Sequence, residues 1–223
     1  MQIQQMFLTK NNYSRPGTKR NVTSKIAIHY VGNALSKAIN NRNYFEGLKN
    51  QSSNNSIYAS SHYIIGLDGE IIQCVPDDEI AYTTNSANAY SIGIECCHLE
   101  NGTFTKETRR SLVELVCMLL KKYHLNENDI IRHFDVTGKL CPICWAANSG
   151  PKYDDYLKFK LEVKAMLEGE KVEKGKVNIN GKVKEFDIIM KDGRTFIDMA
   201  AYTKELEKSI EWDGKTKTRI VKG

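Results

Sequence analysis

Apolar and polar positions alternate along Lys25–Val31, with Ile26, Ile28 and Tyr30 on one face and His29 on the other. A period of two marks a strand with two distinct faces. The run from Ser91 to Cys97 is almost wholly apolar, as in a buried central strand, yet it holds a carboxylate at Glu95. Ile130 and Ile131 form a short strand that ends at His133. Residues 60–75 read as a hairpin turning at Asp68-Gly69, a pair that favours a type I′ turn. Helical spacing marks Leu35–Lys49, then a segment capped by Thr105, then Asp154–Leu167. In the second, Glu107 lies in the first turn, Leu112, Val116 and Leu119 form the inner stripe, and Lys121 and Lys122 suit the C-terminal end. The third buries Tyr156, Phe159, Val163 and Met166 or Leu167. The polar stretch Tyr82–Tyr90 reads as a loop, either lining a groove or simply solvated. Strands alternating with helices predict an α/β fold in which helices flank a mixed central sheet.

The pattern resets after Leu167. Residues 168–175 are charged, glycine-punctuated and aperiodic, which reads as a linker. Beyond them, Val177–Ile179 and Lys182–Met190 read as a hairpin about Asn180-Gly181, and Arg194–Ile197 as a strand after Asp192-Gly193. Asp198 caps a helix to about Lys208, and Ile210–Trp212 and Lys215–Val221 flank an Asp213-Gly214 turn. The expected organisation is a main domain over 1–167, a linker over 168–175 and a small α+β module over 176–223. So short a module has a marginal core and gains from packing on itself in an oligomer or on the larger domain.

The formal net charge of +5 is spread over both parts without a basic stripe, which argues against nucleic acid and weakly favours anionic polymers. The N-terminal stretch Met1–Lys10 has no apolar core of a leader, and no run approaches membrane-spanning length. The expectation is synthesis in the cytoplasm without membrane insertion. Six cysteines fit several pairings and favour none, and most are expected to be reduced. Cys141-Pro-Ile-Cys144 has redox spacing but follows a metal-like histidine late in the chain, which argues against a redox role.

His29, His133 and Cys141 supply two imidazoles and a thiolate. Three zinc ligands leave one position open, the arrangement of a catalytic site. Each has a plainer reading: a hydrogen-bonded strand histidine, or a cysteine acting as a small hydrophobe. Glu95 is suited to move protons beside a metal; its plainer reading is a solvated or arginine-paired carboxylate. Lys139 is suited to stabilise an oxyanion, or is a solvated loop lysine. His62 reads as a structural hydrogen-bonding residue rather than a fourth ligand.

Residues from about 20 to 165 resemble the zinc-dependent N-acetylmuramoyl-L-alanine amidases of the amidase-2 and peptidoglycan recognition protein type, including phage endolysins. The resemblance rests on IAIHYVGN, ASSHYIIGLDGEIIQCVP, SIGIECC and RHFDVTGKLCP, in that order. It implies Zn²⁺ held by His29, His133 and Cys141, with Glu95 handling protons and Lys139 stabilising the transition state. It implies hydrolysis of the bond between N-acetylmuramic acid and L-alanine in peptidoglycan by a zinc-bound water, with release to the wall during host lysis. Ser61 stands where some members carry a tyrosine with a part in proton handling, which leaves that role to Glu95. Two other roles fit the same residues: recognition of peptidoglycan without turnover, and intracellular recycling of muropeptides. The C-terminal module resembles small strand-and-helix modules of clostridial-type wall proteins, which implies wall-polymer binding or homo-oligomerisation.

Overall fold

Strands β1 (Ile3–Gln5), β2 (Lys25–Tyr30), β3 (Tyr63–Ile65), β4 (Ile71–Gln73), β5 (Ser91–Cys96) and β6 (Ile130–Arg132) form one sheet in the spatial order β1-β4-β3-β5-β2-β6. In the computed structural model the described residues are 1–52, 56–169, 172–179, 182–191, 194–197, 199–206, 209–213 and 218–222. They divide into two units, Met1–Lys164 and Ala165–Gly223. Among the described residues no helix is long and apolar enough to cross a membrane.

The sheet is mixed. Strand β2 pairs in parallel with β5 and β6, whereas β3 and β4 are antiparallel. Parallel register places neighbouring side chains on the same face. Ile26 and Ile28 lie beside Ile92 and Ile94, all fully buried. The other face brings His29 beside Glu95. Helix α1 (Ala38–Gly47) packs on β3 and β4, where Phe45 joins Ile64, Ile72 and Cys97 in an apolar cluster. Helix α2 (Lys106–Lys122) packs on β2 and β3. Thr105 caps α2 by accepting from the Thr108 N–H, and Leu112, Val116 and Leu119 are buried. Arg109 ties α2 to helix α4 (Gly150–Leu167) through Asp155 and Glu162.

Several boundaries depart from the hydrophobic pattern. Leu35 stands outside α1 in a left-handed conformation, φ +56°, and is exposed, so the helix begins at Ala38. The Asp68-Gly69 turn is not type I′, because only Gly69 has positive φ. Gly66 and Glu70 pair across a three-residue loop whose last position needs a left-handed residue. Helix α4 starts at Gly150, with Pro151 preset for a first turn. Tyr156, Phe159 and Val163 are buried in it, whereas Met166 is exposed. Strand β1 was not legible, since only Ile3 is apolar in it.

In the second unit, β7 (Val172–Ile179), β8 (Lys182–Lys191) and β9 (Arg194–Ile197) form an antiparallel sheet. Helix α5 (Met199–Glu205) and the pair β10 (Ser209–Asp213) and β11 (Thr218–Lys222) follow. The stretch 168–175 is not a linker throughout, because 172–175 belong to β7. Ile188 lies over Gly175 so closely that a Cβ there would come within 2.5 Å of it; the glycine serves packing, not flexibility. The turn residues Asn180-Gly181 and Asp192-Gly193, the Asp198 cap, Lys208 and Gly214 lie outside the described residues.

His62 is structural, as its setting requires. The ring is fully buried, Nδ1 accepts the Gly93 N–H at 3.0 Å, and Nε2 donates to the Glu79 carbonyl at 2.9 Å. Burial, then the adjacent Arg20 guanidinium, lowers its pKa to about 4. An unfolded histidine takes up its proton near pH 6.5, before the folded one does. Stability should therefore be full above pH 6.5 and fall toward pH 4, by on the order of 3 kcal/mol from this group. Urea midpoints of wild type and His62→Gln over that range check it; parallel curves would remove His62 as the cause.

Candidate metal centre

His29 occupies the end of β2, and the chain brings its partners from the neighbouring strand ends. Helix α3 (His133–Thr137) follows β6 directly, so His133 opens a helix at the sheet edge. Gly138 ends that helix with φ +75°, donating its N–H to the Phe134 carbonyl. The chain then returns, and the Phe134 N–H donates to the Cys141 carbonyl at 2.9 Å. Buried Arg132 braces the segment beyond, donating to the carbonyls of Trp145 at 2.5 Å and Ala147 at 2.7 Å.

The donor atoms of His29, His133 and Cys141 lie within 4.8 Å of one another. The two Nδ1 atoms are 3.1 Å apart, and Cys141 Sγ is 3.6 Å from His29 Nδ1. Tetrahedral zinc, with bonds of about 2.0–2.1 Å to nitrogen and about 2.3 Å to sulfur, separates nitrogen pairs by roughly 3.3 Å and nitrogen from sulfur by roughly 3.6 Å. The donor set therefore fits zinc in identity, and the two pairs that include His29 fit it in spacing.

Electrostatics point the same way. Burial, then the neighbouring His133 and Lys139, pushes the His29 pKa well down, and burial and Lys139 lower that of His133. Both imidazoles stay neutral with lone pairs to offer. The Cys141 thiol is pushed up to about 12 by burial and then Glu95, partly opposed by the Tyr30 N–H and Lys139. A thiolate here needs a cation beside it. Cys144 is also pushed up to about 12, chiefly by burial, the reverse of a reactive redox thiol. All six cysteines are free.

Glu95 sits beside His29 in register, and its Oε2 is shielded from solvent without a hydrogen-bond partner. Burial pushes its carboxyl up to about 8, against the pull of Lys139. Glu95, Lys139 and the three donor residues line one cavity of about 500 Å³. Ser61, by contrast, is fully buried and donates to the Tyr63 carbonyl.

Two residues of the polar 82–90 loop were not singled out from sequence. His29 Nε2 lies 2.8 Å from Thr84 Oγ1, and His133 Nε2 lies 3.1 Å from Asn85 Oδ1. A protonated Nε2 at His133 leaves Nδ1 free for a metal, so Asn85 selects the useful tautomer. Asn85 has φ +53°, a conformation asparagine tolerates better than most residues. Asn88 Oδ1 accepts from the N–H groups of Thr83 and Thr84, fixing the loop. The loop rests on Gly93, where a Cβ would fall 2.3 Å from Thr83 Oγ1. The clustered threonines and asparagines were the available signal, without periodicity to aim them. Asn85→Ala should weaken zinc binding by about 10–100-fold in competition with a chromogenic chelator. Unchanged affinity would remove Asn85 from the centre.

The sequence matches the N-acetylmuramoyl-L-alanine amidase family over residues 19–144. The N-acetylmuramoyl-L-alanine amidase CwlL of Bacillus licheniformis is 31% identical over 216 residues, covering 90% of this chain and 57% of that protein. The chain spans about half the length of the curated relatives it matches. The solved structure of PlyL superposes with a TM-score of 0.60 at 22% identity, covering 74% of this chain and 98% of the other. A mutant endolysin from Bacillus subtilis gives 0.59 at 24% identity, covering 73% and 99%.

Proposed function

Because this chain belongs to the N-acetylmuramoyl-L-alanine amidase family, we propose that it is a zinc hydrolase of bacterial peptidoglycan. It cuts the amide between the lactyl group of N-acetylmuramic acid and L-alanine. One observation carries the reading: His29 Nδ1 lies 3.1 Å from His133 Nδ1 and 3.6 Å from Cys141 Sγ, beside an unpartnered buried carboxylate. Zinc, when bound, supplies Lewis acidity and lowers the pKa of water to about 7.

The chain's own residues divide the remaining work. Glu95 takes a proton from the attacking water and returns it to the leaving amine. Its shielding makes it more basic than an exposed carboxylate, and cationic charge nearby lowers its pKa again, favouring the ionised form that accepts a proton. The Lys139 ammonium faces negative charge as it develops on the carbonyl oxygen. Clearing of purified Gram-positive walls by zinc-loaded protein tests the proposal; binding to walls without clearing would make this a recognition protein instead.

The same reading places the activity in host lysis by a phage or prophage. Cells making the protein should stay intact until their membrane is permeabilised, then lyse; lysis without permeabilisation would contradict it. For Ala165–Gly223 we propose wall attachment or self-association. Its removal should slow hydrolysis of intact walls more than of soluble muropeptides, because tethering raises local concentration at an insoluble substrate. Equal loss on both would mean it supports the catalytic fold.

A further inference from the structure

Tyrosines form part of the wall of the cavity that holds the metal ligands. Tyr58 and Tyr82 both line the cavity, and their rings meet edge to face with centroids 5.8 Å apart. Tyr13 leans on Tyr58 at 5.5 Å. Three separate chain segments supply these rings, and backbone hydrogen bonds fasten the segments together. The Ala59 N–H donates to the Tyr13 carbonyl and the Ser60 N–H to the Tyr82 carbonyl, each at 3.1 Å. The Tyr82 N–H donates back to Ser60 Oγ at 2.9 Å, and Asn11 Oδ1 holds the Tyr13 loop by accepting its N–H at 2.7 Å. The platform is thus set before any ligand arrives, which lowers the ordering cost of binding.

The platform also has unused capacity. Tyr58 is 56% exposed although it sits in a cluster of large rings. Among the described residues the phenols of Tyr63, Tyr123 and Tyr156 have hydrogen-bond partners, whereas those of Tyr13, Tyr58 and Tyr82 have none.

We propose that Tyr58 and Tyr82, backed by Tyr13, form a subsite for an uncharged pyranose ring of the glycan strand, adjoining the scissile amide. The proposal rests on the amidase reading above. In that substrate the muramic carboxyl is consumed in the amide, so the sugar half is uncharged. The stem peptide carries free carboxylates and amines. The tyrosine wall and its neighbours Ala59, Ser60 and Asn88 carry no charge, whereas the charged lining residues Glu95 and Lys139 lie beside metal ligands in the chain or the sheet. The C–H face of a pyranose stacks on a flat ring, and free phenols suit its hydroxyls and N-acetyl group.

A tetramer of β-1,4-linked N-acetylglucosamine is the probe, because it has the sugar face and neither lactyl group nor peptide. In calorimetric titration it should bind the full-length protein, zinc-loaded or metal-free. Tyr58→Ala should weaken that binding by about fivefold to tenfold, and Tyr58→Trp should restore it. On purified walls Tyr58→Ala should raise KM with zinc content unchanged. No binding of the tetramer, or equal binding by Tyr58→Ala and Tyr13→Ala, overturns the subsite and leaves wall hydrolysis to stand separately. Displacement of the tetramer by a sugar-free stem peptide assigns the rings to the peptide half and overturns it as well. Bound tetramer with no wall hydrolysis would instead count against the amidase reading alone.

Discussion

Glu95→Gln should lower turnover by about 10²–10⁴-fold, the usual contribution of a general acid–base group, and leave zinc content unchanged. The substitution keeps shape and removes the ability to accept a proton. The position tolerates a neutral side chain, because Oε2 has no partner to lose and burial already holds the carboxyl up to about 8. The same shift has a stability consequence in metal-free protein. An unfolded glutamate ionises near pH 4.5, so the stability tied to the protonated form is full below that pH and is lost as pH rises to about 8. Metal-free Glu95→Gln should therefore gain on wild type in thermal midpoint across that window. A zinc-loaded variant with near-normal rate would remove Glu95 from the chemistry.

Metal removal should abolish activity, and added zinc should restore it. Cys141→Ser is the sharpest variant, since a hydroxyl does not replace a thiolate as a ligand and the two histidines remain in place. Wild type should hold about one zinc per chain, and Cys141→Ser should lose it at matched chelator concentration. Zinc should also raise the wild-type thermal midpoint, because a ligand at 100 times its Kd adds about 2.7 kcal/mol. That rise should vanish in Cys141→Ser and in His133→Ala. Full activity from demonstrably metal-free protein would end the assignment.

The candidate site was legible in outline because its parts sit where short-range patterns change. Alternation in β2 put His29 opposite the isoleucines, and an apolar run made Glu95 conspicuous. Their adjacency is a matter of strand register, which no spacing within either segment encodes. Thr84 and Asn85 were missed because they act from a loop held by Asn88 and by close approach to Gly93, contacts that exist only after folding. Similar physics explains the misplaced boundaries. Val-Glu-Lys-Gly at 172–175 looks like a solvated linker, but the segment pairs with β8 as an edge strand. Leu35 carries helical propensity, yet its N–H bonds to the His98 carbonyl and holds it out of α1.

The central claim concerns which bond is cut, and end-group analysis of digested walls tests it most directly. Purified walls treated with the zinc-loaded protein should release new N-terminal alanine in step with the fall in turbidity, with no new reducing sugar ends. Only hydrolysis of the lactyl–alanine amide gives that pair of results. New reducing ends would indicate a glycosidase, and new termini from within the stem peptide an endopeptidase. Either result would contradict the amidase assignment.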